Sequence, residues 1–322
     1  MSARKVRHSH VHSHTGTKRA LATAFALTTA VLLVEVVGGL VSHSLALLSD
    51  AGHVLTDIVA LGLAWFAAVQ AERPSDDRRT YGYHRVGILT ALANAITLIL
   101  IVIAIAFEAV HRLQQPEMVT PWVMFAAASV GVAVNVYIGL GLRRHGSANI
   151  NVRAAMLHVF GDVGASLAVI VGGVVIALTG WYPADPIISL AIALLIAWGA
   201  WGVLRETIAI LMESTPRDVD VTHLLRDLGK IPGVSGVHDL HVWSIAGGMR
   251  ALSAHIQVLD RPLSACDALR EKINLLLANG YHISHTTIQF ECRDCDRCDS
   301  NKLYCQLEPG EVAHSHMHGH SH

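Results

Sequence analysis

The sequence predicts an α-helical membrane protein with six transmembrane helices, followed by a small C-terminal cytoplasmic α/β domain of order αββαβ. Three observations carry this reading. Hydrophobic residues make up 52% of the 322-residue chain and charged residues only 15%, against about a quarter charged in soluble domains. Six apolar runs lie near 20–41, 45–70, 86–110, 120–142, 154–179 and 186–204, each close to the ~20 residues that cross ~30 Å of hydrocarbon as a helix. After residue 213 the composition becomes that of a soluble chain. The expected organisation is a His-rich tail at 1–19, a transmembrane domain at 20–213, an end domain at 214–298 and a disordered Cys/His-containing tail at 299–322.

Basic residues orient the spans, because connections rich in Lys and Arg stay on the cytoplasmic side. Arg4, Lys5, Arg7, Lys18 and Arg19 precede the first run; Arg73, Arg78, Arg79 and Arg85 lie between the second and third; Arg143, Arg144 and Arg153 lie between the fourth and fifth. The alternate connections are nearly free of them. An even number of spans with both termini cytoplasmic satisfies every loop, and the cell (inner) membrane is the expected location. A cleaved signal peptide is the competing reading of the first run, but roughly 20 residues precede it and no small-residue cleavage site ends it, so a true span is expected.

In the end domain, 219–231 places Leu224, Leu225 and Leu228 on one helical face. VHDLHVWSI alternates as a strand, Gly247 and Gly248 turn it, and MRALSAHIQVL returns as the second arm of a hairpin. SACDALREKINLLLANG reads as a helix ended by Gly280, and HTTIQFE as a third strand.

Several residue groups point to metal. The five cysteines, Cys266, Cys292, Cys295, Cys298 and Cys305, fall on the reducing side of the membrane, where clustered thiols more often bind metal than pair as disulfides. HSHVHSH at 8–14 and HSHMHGHSH at 314–322 are compositional metal-capture tracts whose irregular spacers are unlike a cloning tag. Inside the spans, His53 and Asp57 stand four residues apart in the second run, and His158 and Asp162 repeat that spacing in the fifth. Each pair therefore lies on one helix face. Two His and two Asp suit a tetrahedral zinc site. Asp57 lies about 18 Å from the outer face and Asp162 about 14 Å from the inner one, at ~1.5 Å per residue, so the pairs meet near the bilayer centre. Ionisable groups at that depth usually mark an ion pathway.

These motifs, SLALLSDAGHVLTD and MLHVFGDVGASL, with six spans, a His-rich tail and a soluble end domain in the same order, resemble the cation diffusion facilitator family over nearly the whole chain. The resemblance implies a homodimeric divalent-metal/proton antiporter, exporting zinc from the cytoplasm through His53, Asp57, His158 and Asp162. It also implies that the end domain is metallochaperone-like and dimerises, and that His238, His255, Glu291, Cys295 and Cys298 hold a cytoplasmic Zn2+. Cys292 and Cys305 offer alternative pairings. Some relatives place a further metal in the loop from Glu72, but here Arg79 and Tyr83 stand where its histidines would be, leaving Asp76, Asp77 and His84 in a charged loop that needs no metal.

Asp50, one turn before His53, reads as a partner of the site or a pathway residue. Glu35, Asn94 and Asn135 read as interhelical hydrogen-bonding groups, Glu108 and His111 as snorkelling or solvated residues near the outer interface, and His241 as packing or dimer contact. No Walker A loop, pump phosphorylation motif or His-Glu-x-x-His occurs. Neither ATP-driven transport nor an enzyme is therefore expected, and no organic cofactor or nucleic-acid partner. A membrane-anchored metal buffer would need no intramembrane ligands, and a passive channel would show no proton dependence.

Overall fold

The computed structural model describes residues 14–144 and 150–292; the side chains of His158 and Cys292 are outside the described set. Residues 8–13 of the first histidine tract, the whole of the second, Cys295, Cys298 and Cys305 also lie outside the described residues. Six long helices come first: α1 (His14–Ser42), α2 (Leu45–Ala71), α3 (Val86–Gln114), α4 (Pro121–Arg144), α5 (Ile150–Thr179) and α6 (Ala184–Leu211). All six are long and apolar enough to cross a membrane. The end domain follows as α7 (Val221–Gly229), β1 (Val234–Ala246), β2 (Met249–Val258), α8 (Leu263–Tyr281) and β3 (Ile283–Cys292). The chain forms two compact units, one taking in residues up to Glu72 and Leu89–Glu206, the other Arg73–Ile88 and the chain from Thr207.

In the helical unit, α1 lies against α2 and α4, α4 against α5, and α2 against α5. Small residues allow the close approaches: a Cβ on Gly38 would stand 2.6 Å from the Ala127 Cβ, so only glycine fits where α1 meets α4. Ala46, Leu47, Met124, Ala128, Val169 and Ile192 fill the interior, while Phe107, Leu178 and Trp198 face outward, as lipid-facing side chains do.

A tight turn joins α1 to α2. His43 takes φ 58°, and Ser44 caps α2 by accepting from Leu47 N at 3.1 Å. The buried Asp185 carboxylate, at the start of α6, accepts from Ser44 Oγ (2.5 Å), Leu45 N (2.7 Å) and Ala46 N (3.3 Å). A carboxylate at a helix N-terminus satisfies orphan donors and complements the dipole. The same turn accepts from Thr120 N at the Ser42 carbonyl (2.9 Å) and from Arg112 Nη1 at the His43 carbonyl (2.5 Å).

In the end domain the sheet runs β1-β2-β3, with β1 antiparallel to β2 and β3 parallel to β2. Parallel neighbours require a crossover, and α8 provides it. Leu224 and Leu228 of α7 and Leu269, Ile273 and Leu277 of α8 pack on Leu252, Ala254 and Ile256 of β2. Both helices therefore cover one sheet face. Asp220 caps α7, accepting from Thr222 N and His223 N.

Gly280 does not end α8: the helix runs through Tyr281, and His282 takes the left-handed cap with φ 55°. Tyr281 is held in the last turn from two sides, its carbonyl accepting from Arg250 Nη1 at 2.8 Å and its hydroxyl donating to Asp227 Oδ2 at 2.9 Å. The chain turns off one residue later. Hydrogen bonds from Lys230 and then Tyr281 hold the Asp227 carboxyl at about 2, below its ordinary 3.8.

Two predictions follow from these contacts. Asp185→Ala leaves buried donors unsatisfied and should destabilise the helical unit by about 3 kcal/mol; thermal unfolding in detergent reads this, and a melting temperature equal to that of the unaltered protein would show that the contact contributes nothing. Because the Asp227 value is depressed, its contribution is present above 3.8 and is lost as pH falls towards about 2. The stability deficit of Tyr281→Phe should therefore be full at neutral pH and shrink through that window.

Candidate metal centres

The first centre is built by α2 and α5. His53 and Asp57 share a face of α2, and Asp162 projects from α5 to meet them. His53 Nε2 lies 3.7 Å from Asp57 Oδ2 and 3.5 Å from Asp162 Oδ1. One ligand atom from each of the three falls within 4.8 Å of the others. Ligand atoms ~2.0–2.1 Å from a tetrahedral ion are about 3.3 Å apart, so this spacing suits donors around one cation better than direct hydrogen bonds, which need about 2.7–3.2 Å. His158 is on α5 one turn before Asp162; its side chain is outside the described set.

Around this group, Ser166 Oγ donates to Asp50 Oδ2 at 2.8 Å, so Asp50 is tied to α5, one turn from the ligand atoms. Glu35 does not form the interhelical hydrogen bond expected of it: it is fully buried and neither carboxylate oxygen has a partner. Asn94 Oδ1 also lacks one, whereas Asn135 is buried. Glu108, with its side chain 40% exposed, pairs with Arg112 at 2.8 Å near the end of α3.

The second centre lies on the sheet face opposite α7 and α8. His238 and His255 are direct partners across β1 and β2, and Glu291 is on the neighbouring β3. His238 Nε2 is 3.0 Å from Glu291 Oε2, and His255 Nδ1 is 3.0 Å from Glu291 Oε1. The rings stand 5.3 Å apart at 81°. His238 is 2% exposed, yet its nitrogens lack hydrogen-bond geometry to any partner. Buried donors and acceptors are normally satisfied; two imidazoles and a carboxylate converging without hydrogen bonds to one another, while Glu291 Oε1 accepts from Gln289 Nε2 at 2.7 Å, fit a zinc ion, for which they are ordinary ligands. Cys295 and Cys298, expected to complete the set, lie beyond the described residues.

A β-bulge makes this centre. Between His238↔His255 and His241↔Ser253, β1 has one residue more than β2, and Asp239 takes φ 47° there. The extra residue reverses the alternation, so His238 faces the centre while Leu240 enters the core. Asp239 Oδ2 lies 3.6 Å from His255 Nε2, and its Oδ1 3.1 Å from His241 Nε2. Sequence reasoning missed Asp239, because alternation alone carries no sign of an added residue; His241, read as packing or dimer contact, is partly exposed and hydrogen-bonded to Asp239.

The loop after α2 closes on itself. Asp76 accepts from Tyr83 Oη (2.8 Å), Arg79 N (2.7 Å) and Arg78 N (2.9 Å), and the Arg79 guanidinium lies 4.7 Å over the Tyr83 ring. The Tyr83 hydrogen bond, then that of Arg79, holds the Asp76 carboxyl below its ordinary range. Arg79 and Tyr83 thus occupy Asp76 with a local hydrogen-bond network.

Residues 21–212 match the family model described as cation efflux transmembrane domain, and 216–292 that of the cation efflux protein, cytoplasmic domain. The chain is 42% identical to the zinc transporter ZitB of Shigella flexneri, over 96% of this chain and 99% of that one. It is 35% identical to a cadmium, cobalt and zinc/H(+)-K(+) antiporter of Bacillus velezensis, over 97% and 99%. A solved structure, the metal-bound C-terminal domain of the CzcD transporter from Cupriavidus metallidurans, is 33% identical, covering 23% of this chain and 99% of that one, with a TM-score of 0.21. With both halves matched in order and relatives aligned almost end to end, the chain is a multi-pass membrane protein that belongs to the cation diffusion facilitator family of cation efflux transporters.

Proposed function

We propose that this protein exports divalent cations, zinc foremost, from the cytoplasm in exchange for protons, through a four-ligand site of His53, Asp57, His158 and Asp162. The observation that carries this is the convergence of His53, Asp57 and Asp162 from two helices at ligand spacing. His158, one turn from Asp162, supplies the fourth ligand. Imidazole and carboxylate suit zinc and, less well, cobalt, nickel, cadmium or iron, and the absence of cysteine from the spans argues against a thiolate Cu(I) site.

The drive is the proton gradient. Metal ligands bind only when deprotonated, so protons and metal compete for the same four side chains. A cation loaded from the cytoplasm is displaced by protons once the helices turn the site outward. The name of the Bacillus relative, which includes H(+), supports this coupling. Both termini are cytoplasmic, the membrane is the cell (inner) membrane, and two chains pair through their end domains.

In the end domain, His238, His255 and Glu291 hold a resident Zn2+, with Cys295 and Cys298 completing its ligands. Such an ion ties the three strands together at the sheet face that the helices leave uncovered. The chain's own residues set its position: Glu291 reaches both imidazoles, and Asp239 orients His255 from the opposite ring nitrogen.

Asp57→Ala and Asp162→Ala should each abolish zinc transport into proteoliposomes while leaving a folded dimer, since each removes one of four ligands; near-normal flux in either would sink the site. His53→Asp replaces nitrogen by oxygen and should raise the cadmium-to-zinc flux ratio with proton dependence retained. An unchanged ratio, with both fluxes measurable, would remove His53 from the ligand set.

A further inference from the structure

The bundle buries one acidic pair that the metal site does not use. Glu35 of α1 is 0% exposed and Asp50 of α2 is 1% exposed. Both Glu35 oxygens and Asp50 Oδ1 are without hydrogen-bond partners. A bare carboxylate in an apolar interior costs several kcal/mol, so such a group is neutralised by a bound cation or a proton. Among the described residues no Lys or Arg offers the neutralisation: the charged groups acting on Glu35 are Asp50 and Asp162, His53 and Asp162 act on Asp50 electrostatically, and α4 has no charged residue before Arg143.

The space around the pair is shaped for it. A Cβ at Gly131 of α4 would stand 2.7 Å from Glu35 Oε1 and 3.3 Å from Ser166 Oγ, so glycine leaves room for the carboxyl beside the hydroxyl. Ser166 in turn donates to Asp50 at 2.8 Å. Glu35, Ser166 and Asp50 thus surround one point where α1, α2, α4 and α5 meet.

The level of this point is informative. Asp50 precedes His53 by three residues on α2, and Ser166 follows Asp162 by four on α5. Because the helices run in opposite senses, both steps move about 5 Å towards the end of the bundle that carries the Ser42–Ser44 turn. The proposed topology puts that end outside. The acidic pair therefore lies between the metal ligands and the side from which protons arrive.

We infer that Glu35 and Asp50 form a proton-carrying station, one helical turn outward of the metal site, which holds an incoming proton and gives it up to the emptied site. The inference rests on the antiport reading. An external proton adds to the Glu35 carboxylate, making it a neutral acid, and Asp50, held by Ser166, shares it. When zinc leaves as a dication, the station gives that proton to the vacated ligands and is anionic only until another proton arrives from outside. One proton moves from the Glu35 carboxyl to a ligand, and the rest of the dication's charge is offset by protons that enter from the outside. Neither residue contacts the cation, so metal affinity and proton coupling become separable properties.

The test uses the full-length protein purified and reconstituted in vesicles, with zinc flux measured with and without a pH gradient. In parallel, titration calorimetry gives the equilibrium zinc affinity. Glu35→Gln should still bind zinc with the affinity of the unaltered protein and carry it down its own gradient, but lose the acceleration by the pH gradient. Glu35→Asp, which keeps a carboxyl, should recover that acceleration. If Glu35→Gln does not fold, Asp50→Asn decides the matter by the same loss. Full pH acceleration in the folded variants would overturn the station, and so would loss of equilibrium zinc binding, which would make Glu35 a structural support of the metal site. Should the unaltered protein itself show no pH dependence, the antiport reading fails first and takes the station with it.

Discussion

The helical unit depends on one carboxylate placed at one helix terminus. Asp185 accepts from Ser44 Oγ and the first two amides of α2. It thereby sets the depth of every residue that α2 carries. Asp50, His53 and Asp57 follow at fixed rise, and a slip of α2 by one residue would rotate His53 and Asp57 by about 100° away from α5. Apolar contacts with lipid resist no such sliding, because hydrocarbon is as favourable on one side of Leu as on the other. A directional bond network, buried and charge-assisted, resists it. The further ties of Thr120 and Arg112 to the same turn anchor α3 and α4 to that level.

The two candidate metal centres differ in how closed they are. In the bundle, the three described candidate ligands are partly exposed. In the end domain, His238 is nearly sealed. Partial exposure suits a ligand set that must exchange its cation, whereas closure suits one that keeps it. Both centres draw ligands from separate elements.

Much of this was legible in the sequence. The six helices were visible as runs of apolar residues, because hydrocarbon imposes one length and one polarity on every span. The His-x-x-x-Asp pairs were visible because helical spacing is a local property. Long-range contacts carried no such signal. Nothing near Asp185 marks it as the cap of a helix that begins 140 residues earlier, and nothing near Glu35 says that its oxygens would be left without partners. The end of α8 was misplaced by a glycine that the helix absorbs, since contacts to Arg250 and Asp227 outweighed the local preference of Gly280. A preference of about 1 kcal/mol is easily overruled in this way.

The bulge at Asp239 ties the spacing of the chain to the chemistry of the end domain. Side chains alternate strictly along a strand, so the count of residues between His238 and Leu240 decides which of them meets the core. Removing a single residue there would drive one of the two, imidazole or isobutyl group, to the wrong side of the sheet. This short stretch should therefore tolerate exchanges of side chain far better than any change of length. Among related chains it is a place where insertions and deletions should be absent even if the residue at 239 varies, and in engineering it is a poor site for a tag or a graft. The hairpin tip at Gly247 and Gly248, where the strand has already turned, is the natural alternative.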